Sequence, residues 1–135
     1  MRQDHIEQAV RAISNYDFGR SAVALFELDS LINAAHGDRA ARDLIERELA
    51  GILESDASLA AKQEVCRRLW RIGTDNSLGP LRAMLGDEDP RIVAAACYAI
   101  GRRPSQQADE ALRAALRDAR GACRDPIEHL IEDRG

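Results

Sequence analysis

Apolar residues recur along most of this chain at spacings of three and four, the period that lines one face of an α-helix. Ile6, Val10 and Ile13 predict a first helix over about residues 3 to 14, broken by Asn15-Tyr16-Asp17-Phe18-Gly19. A second, about 20 to 35, runs through Val23, Phe26, Leu28, Leu31 and Ile32 and stops near His36-Gly37. Asp38 suits the N-cap of a third helix, to about 54, that carries Leu44, Ile45, Leu49, Ile52 and Leu53. The fourth, about 58 to 72, buries Val65, Leu69 and Ile72, turns Glu64, Arg67, Arg68 and Arg71 outward, and stops at Gly73.

Thr74-Asp75-Asn76-Ser77 then caps a short fifth helix with Leu78, Leu81, Met84 and Leu85, where Pro80 falls in the tolerant first turn and Gly86 ends the element. Asp89 and Pro90 open the sixth, which buries Ile92, Val93, Ala96, Cys97 and Ile100 and ends at Gly101. Pro104-Ser105 marks the next turn. A seventh helix, about 106 to 118, uses Ala108, Leu112, Ala115 and Leu116, and a short last one from Asp125-Pro126 carries Ile127, Leu130 and Ile131. The pattern thus predicts seven or eight helices joined by loops of a few residues.

The helices repeat one another. A shift of 28 residues places Val65 on Val93, Leu69 on Cys97, Ile72 on Ile100 and Gly73 on Gly101, which makes these the first helices of successive hairpins. The second helices recur as Leu49-x-x-Ile52-Leu53, Leu81-x-x-Met84-Leu85 and Leu112-x-x-Ala115-Leu116, at intervals of 32 and 31, and Asp56, Asp87 and Asp118 each follow within three residues. Two interleaved helix patterns with a period near 30 describe stacked αα-hairpins, each unable to bury its apolar face alone.

The run AAKQEVCRRLWRIGTDNSLGPLRAMLGDEDPRIVAAACYAIGRRPSQQADEALRAAL resembles HEAT repeats, of the short bacterial kind first associated with phycobilisome lyases. The likeness rests on IG-T, then P-L-x-x-x-L, D-x-D-P and A-x-x-A-I-G, over about residues 57 to 118. It implies an all-α fold: a right-handed α-solenoid of about three stacked HEAT-like hairpins behind an extra N-terminal helix. The expected division is a single domain, with a helix and turn over 1–19, a degenerate repeat over 20–56, repeats over 57–87 and 88–118, and a partial closing repeat over 119–135. One departure stands out. HEAT patterns commonly place an arginine just after the first helix's valine, whereas Arg91 precedes Ile92-Val93, so no Asp-Arg ladder between repeats is assumed.

Composition agrees with the helical reading and narrows the function. Apolar residues at 45% and charged residues at 31% suit a folded chain, and alanine is the commonest residue, with aromatics at only 4%. Of the 19 Lys and Arg residues only Lys62 is lysine, so exposed cations come as bidentate guanidinium groups. A net charge of −4 weighs against a protein built to neutralise phosphate backbones. No run approaches the ~20 apolar residues of a membrane span, and MRQDHIEQAV lacks the apolar core of a signal peptide. A cytoplasmic protein without membrane contact is expected.

Candidate chemistry is sparse. Cys66, Cys97 and Cys123 are widely spaced and read as small buried helix residues in a reducing compartment, not as a disulfide or zinc framework. His129 and Glu132 share a helix face but make an incomplete metal site, and Asp87, Glu88 and Asp89 serve better as a helix cap than as a cation site. No nucleophile elbow, phosphate loop or metal motif is present, and no catalytic residue, cofactor or metal is assigned.

Trp70, at the margin of its helix's apolar face beside Arg67 and Arg71, fits either the edge of the core between hairpins or an interface anchor. Second helices line the concave face of HEAT stacks, which makes Arg82 and Arg113, equivalent by the 31-residue shift, candidates for a basic row there. A solvated helix face is the plainer reading of both. Three functions follow. The first is a non-enzymatic scaffold or adaptor that binds a protein partner along the second helices, with Trp70, Arg67, Arg71, Arg82 and Arg113 as contacts. The second, implied by the resemblance, is a relative of the bilin lyases, for which the paucity of aromatics offers little to hold a tetrapyrrole. The third is nucleic-acid binding, which the net charge and single tryptophan disfavour. Uncapped apolar ends would allow a monomer to pair end to end as a weak dimer.

Overall fold

The computed structural model describes residues 3–17 and 22–135. Eight α-helices run among them: α1 (Gln3–Arg11), α2 (Ala22–Ala34), α3 (Arg39–Leu53), α4 (Leu59–Ile72), α5 (Leu78–Leu85), α6 (Pro90–Ile100), α7 (Gln106–Asp118) and α8 (Arg124–Arg134). Short 3-10 turns follow α1 at Ala12–Asn15 and lead into α5 at Asp75–Ser77 and into α8 at Gly121–Cys123. The part of the first predicted break at Phe18-Gly19, and the predicted start of the second helix at residue 20, lie outside the described residues.

Helix starts follow from side chains that satisfy orphan N–H groups. Asp38 accepts from Ala41 N at 3.1 Å, Ser58 from Ala61 N at 3.1 Å, Asp89 from Arg91 N at 2.9 Å and Ser105 from Ala108 N at 3.0 Å. Pro90 occupies the first helical position of α6, where no N–H is needed. Gly101 ends α6 with φ +55°, a conformation that L side chains rarely adopt. Gly73 ends α4, as the sequence predicts, without a left-handed backbone. Its φ of −69° and ψ of 145° are extended, and the absence of a side chain matters because a Cβ there would collide with Leu69 O and come within 2.5 Å of Arg103 Nη1.

The helices stack in two rows, as an all-α solenoid does. One row is α1, α3, α5 and α7; the other is the Ala12–Asn15 turn, α4, α6 and α8. Between rows the closest pairs are α3 with α4, α5 with α6 and α7 with α8, each joining the second helix of one predicted hairpin to the first helix of the next. Val65, Leu69, Ile72, Val93, Cys97 and Ile100 are all buried in one continuous core, as are Leu49, Ile52, Leu53, Leu81, Met84, Leu85 and Leu112. Ala115 and Leu116 pack against that core while only partly buried.

Several expected orientations differ. Val23 and Phe26 are 68% and 74% exposed, because α2 buries the stripe Ala24, Leu28, Leu31 and Ile32, extended by Ala35, and that stripe leaves the other apolar positions facing out. Glu64 and Arg68 turn inward instead of outward, because each satisfies the other's charge. Arg68 Nη1 donates to Glu64 Oε1 at 2.8 Å, while its Nε and Nη2 donate to Asp29 of α2, both at 3.0 Å. Burial alone would lower the Arg68 pKa; the hydrogen bonds it donates to Asp29 and Glu64 outweigh it and raise the guanidinium above its usual value. This pair, with Arg71 Nη2 on Asn33 Oδ1 at 2.9 Å, ties α2 to α4 through long side chains.

Candidate partner-binding surfaces

The five arginine and tryptophan candidates divide between the two rows. Trp70, Arg67 and Arg71 stand on α4, Arg82 on α5 and Arg113 on α7, and all five are exposed. Trp70 is 57% exposed and its ring centroid lies 6.0 Å from that of Tyr98 on α6, which is 51% exposed, with the planes tilted by 41°. Tyr98 is 28 residues beyond Trp70, so the pair continues the same repeat that aligns Val65 with Val93. The indole also covers Gly101, where a Cβ would come within 2.8 Å of Trp70 Cδ1. Trp70 therefore seals the step between two layers with one part of its ring and presents the rest to solvent, which a tryptophan's size permits.

Beside this ledge a groove of about 300 Å³ runs between α4 and α6, lined by Gln63, Cys66, Arg67, Arg91, Ala94 and Tyr98 among others. Its cations are already paired: Arg67 Nη1 with Glu64 Oε2 at 2.7 Å and Arg91 Nη2 with Asp89 Oδ2 at 2.9 Å. Arg91 thus folds back on its own cap, holding the Asp89 carboxyl below the usual carboxylate range chiefly through its side-chain hydrogen bond. Arg-Asp pairs between elements arise elsewhere, from Arg68 to Asp29 and from Arg134 of α8 to Asp109 of α7, at 3.0 and 2.8 Å.

The other row holds a larger groove, about 480 Å³, between α5, α7 and the turn before α8. Leu85, Ala111, Ala114 and Ala115 supply apolar lining, with Arg82, Asp87 and Asp118 among the polar residues around it. Arg82 and Arg113 form no side-chain hydrogen bond or ion pair among the described residues. Arg113 is exposed on α7 but does not line this groove, so the expected basic row contributes one arginine to it. Neither Trp70, Arg67 nor Arg71 reaches it.

Cys66 and Cys97 are buried free thiols, and burial pushes each up to about 12. Cys123 departs from the expected burial: it sits partly exposed in the 3-10 turn, its thiol 3.3 Å from Glu88 O and 3.5 Å from Asp87 O. Asp87 accepts from Asp89 N at 2.8 Å and Asp89 caps α6, so two of the acidic trio are engaged in helix initiation. Among the described residues no group of three potential ligands is placed to hold a metal ion.

Arg103, in the loop after α6, carried no assignment in the sequence. It packs against Gly73 near Glu46, whose carboxylate accepts from Thr74 N at 2.6 Å and from Thr74 Oγ1 at 2.9 Å. Burial lowers the Arg103 pKa, opposed by the charges of Glu46 and Asp75, and its Nε and Nη2 have no hydrogen-bond partner among the described residues. Nothing in a loop sequence GRRPS distinguishes Arg103 from the exposed Arg102 beside it. Tyr98 was legible in principle, through the 28-residue shift from Trp70.

A family model described as HEAT repeats matches residues 45–131. No curated protein and no solved structure matches the chain.

Proposed function

The chain belongs to the HEAT-repeat family, and from that premise we propose that it is a non-enzymatic docking module whose α5–α7 groove receives a segment of a protein partner. HEAT repeats commonly mediate contacts between proteins. The observation that carries the reading is the 480 Å³ groove with its alanine-rich lining and the unpaired Arg82 beside it. Small side chains let a partner's backbone approach closely, and an arginine free of intramolecular pairing has donors to spare for a partner's carbonyl or carboxylate.

A second surface has its own support. Trp70 and Tyr98 form an exposed aromatic ledge, and aromatic anchors with adjacent arginines are the residues most enriched at interface hot spots. Arg67 and Arg71 flank it.

The two faces are separable by experiment. The purified chain is used as bait in lysate of its source beside an Arg82→Glu/Arg113→Glu variant and a Trp70→Ala/Tyr98→Ala variant, each checked for helical circular dichroism. Loss of a specific partner with the first variant alone supports the groove; loss with the second alone moves the site to the aromatic ledge. Retention by both variants refutes docking at these faces, and no specific partner or an eluate coloured by a tetrapyrrole favours a lyase-like role.

A further inference from the structure

A third cavity, about 370 Å³, lies where the loop before α3 and the first turns of α3 meet the end of α4, and of the residues placed at the two docking faces only Arg71 lines it. Arg39, Arg42 and Arg71 line it beside Gly37, Gly73 and Thr74, and its lining includes no carboxylate. Arg39 and Arg42 make no side-chain hydrogen bond or ion pair among the described residues. Arg71 donates to the neutral amide oxygen of Asn33, which orients the guanidinium without cancelling its charge.

The acids nearest in sequence are committed elsewhere. Asp38 spends its carboxylate on the Ala41 N–H, Asp43 lines a separate cavity with Arg47, and Glu46 is held by Thr74 and faces Arg103. Arg103 itself abuts Gly73, one of the lining residues, with two guanidinium nitrogens unpartnered.

Charge of this sign is misplaced for folding. The first turn of α3 contains no acid and opens with Arg39, at the end of the helix where the dipole is already positive. In a chain of net charge −4 there is no shortage of carboxylates to neutralise the cluster, yet none lines it. Three guanidinium forks around one space match an anion that carries more than one charge and several acceptor oxygens, whereas a single carboxylate is served by one fork.

We propose that this cavity binds a phosphate-type oxyanion, free or carried on a side chain. The three arginines supply charge-assisted hydrogen bonds, and the α3 N-terminus adds its dipole. The site shares Arg71 with the flank of the aromatic ledge and no residue with the α5–α7 groove.

The test is an amide-shift titration of the isotope-labelled chain at constant ionic strength. One arm uses inorganic phosphate; the other uses a short neutral peptide bearing one phosphoserine, with its serine twin as control. Saturable shifts centred on Gly37, Arg39, Gly73 and Thr74 are expected in at least one arm, and the arm that saturates at lower concentration identifies the source. Arg42→Gln and Arg71→Gln are each expected to weaken binding about tenfold, while Arg113→Gln leaves it unchanged.

Thermal unfolding supplies a second readout. Arg42→Gln removes an unpaired charge, so it is expected to keep its Tm without phosphate and to lose the phosphate-dependent rise. Absence of saturable shifts at those four amides in both arms overturns the proposal. So does a rise in Tm with phosphate that survives Arg42→Gln and Arg71→Gln alike, since a general salt effect on hydration acts on every variant equally.

Discussion

Replacing Gly101 with alanine separates backbone strain from packing at the Trp70 step. Gly101 sits at φ +55° and ψ −143°, a region that costs an L-residue about 1–3 kcal/mol. A Cβ there would also lie 2.8 Å from Trp70 Cδ1 and 3.0 Å from Nε1. The half-exposed indole has room to swing away, at the expense of its contact with Tyr98, worth about 0.5–1.5 kcal/mol. Gly101→Ala is therefore expected to lower stability by about 2–4 kcal/mol, or roughly 10 °C in Tm. Trp70 is the chain's single tryptophan, so its fluorescence during urea unfolding reports the site directly, and its native emission is expected to move to the red. Repeating the substitution in a Trp70→Ala background, followed by circular dichroism, removes the clash and leaves the strain. A cost below about 0.5 kcal/mol in the native background would refute the strained-backbone reading. An identical cost in both backgrounds would refute the packing of the indole over this glycine.

Two further outcomes follow from the core. Arg68→Ala strands Glu64 in a buried position with only Arg67 to compensate and frees α2 from α4; breaking such a partly buried network is expected to cost about 2–4 kcal/mol in urea unfolding, and a loss under 1 kcal/mol would show the network to be ornamental. The Cys66 and Cys97 thiols, pushed from 9.0 to about 12 by burial, stay protonated in the native state while the unfolded thiols ionise from about pH 9. The unfolded chain then binds fewer protons, so this contribution to stability is intact below pH 9 and declines as pH rises toward 12. Native-state labelling with a thiol reagent at pH 8 should accordingly modify Cys123 far ahead of the other two, and equal labelling of all three would contradict the burial.

Helix positions were legible because capping chemistry and apolar period agree at nearly every element: Asp38, Asp89-Pro90 and Ser105 each start a helix where the pattern begins. What misled was degeneracy of the pattern. In α2 nearly every turn offers apolar residues, so periodicity alone did not decide between the stripe through Leu28 and the positions of Val23 and Phe26. In α4 charge implied exposure, yet Glu64 and Arg68 pair with each other and Arg68 also pairs with Asp29, 39 residues upstream, a long-range contact with no local signature. The candidate surfaces were half legible for the same reason. Arg82 and Trp70 could be placed on helix faces by spacing, but which helices adjoin to form a groove depends on the stack.

The N-terminal part of the stack departs from the regular repeat in three independent respects that meet at one place. The family match begins at residue 45, within α3. The 32-, 28- and 31-residue correspondences start at α3, α4 and α5 respectively. And the close neighbour of α4 on that side is the Ala12–Asn15 turn, with α2 joined to α4 by the long side chains of Arg68 and Arg71. A regular repeat fills the space between layers with equivalent apolar residues; an irregular junction leaves room that side chains must bridge or a ligand must fill. The cavity lined by Arg39, Arg42 and Arg71 lies at this junction, where Arg71 serves both purposes. Regular layers α4 to α7 thus carry the two proposed docking faces, while the break in regularity at α2 and α3 gathers the three arginines of the proposed anion site.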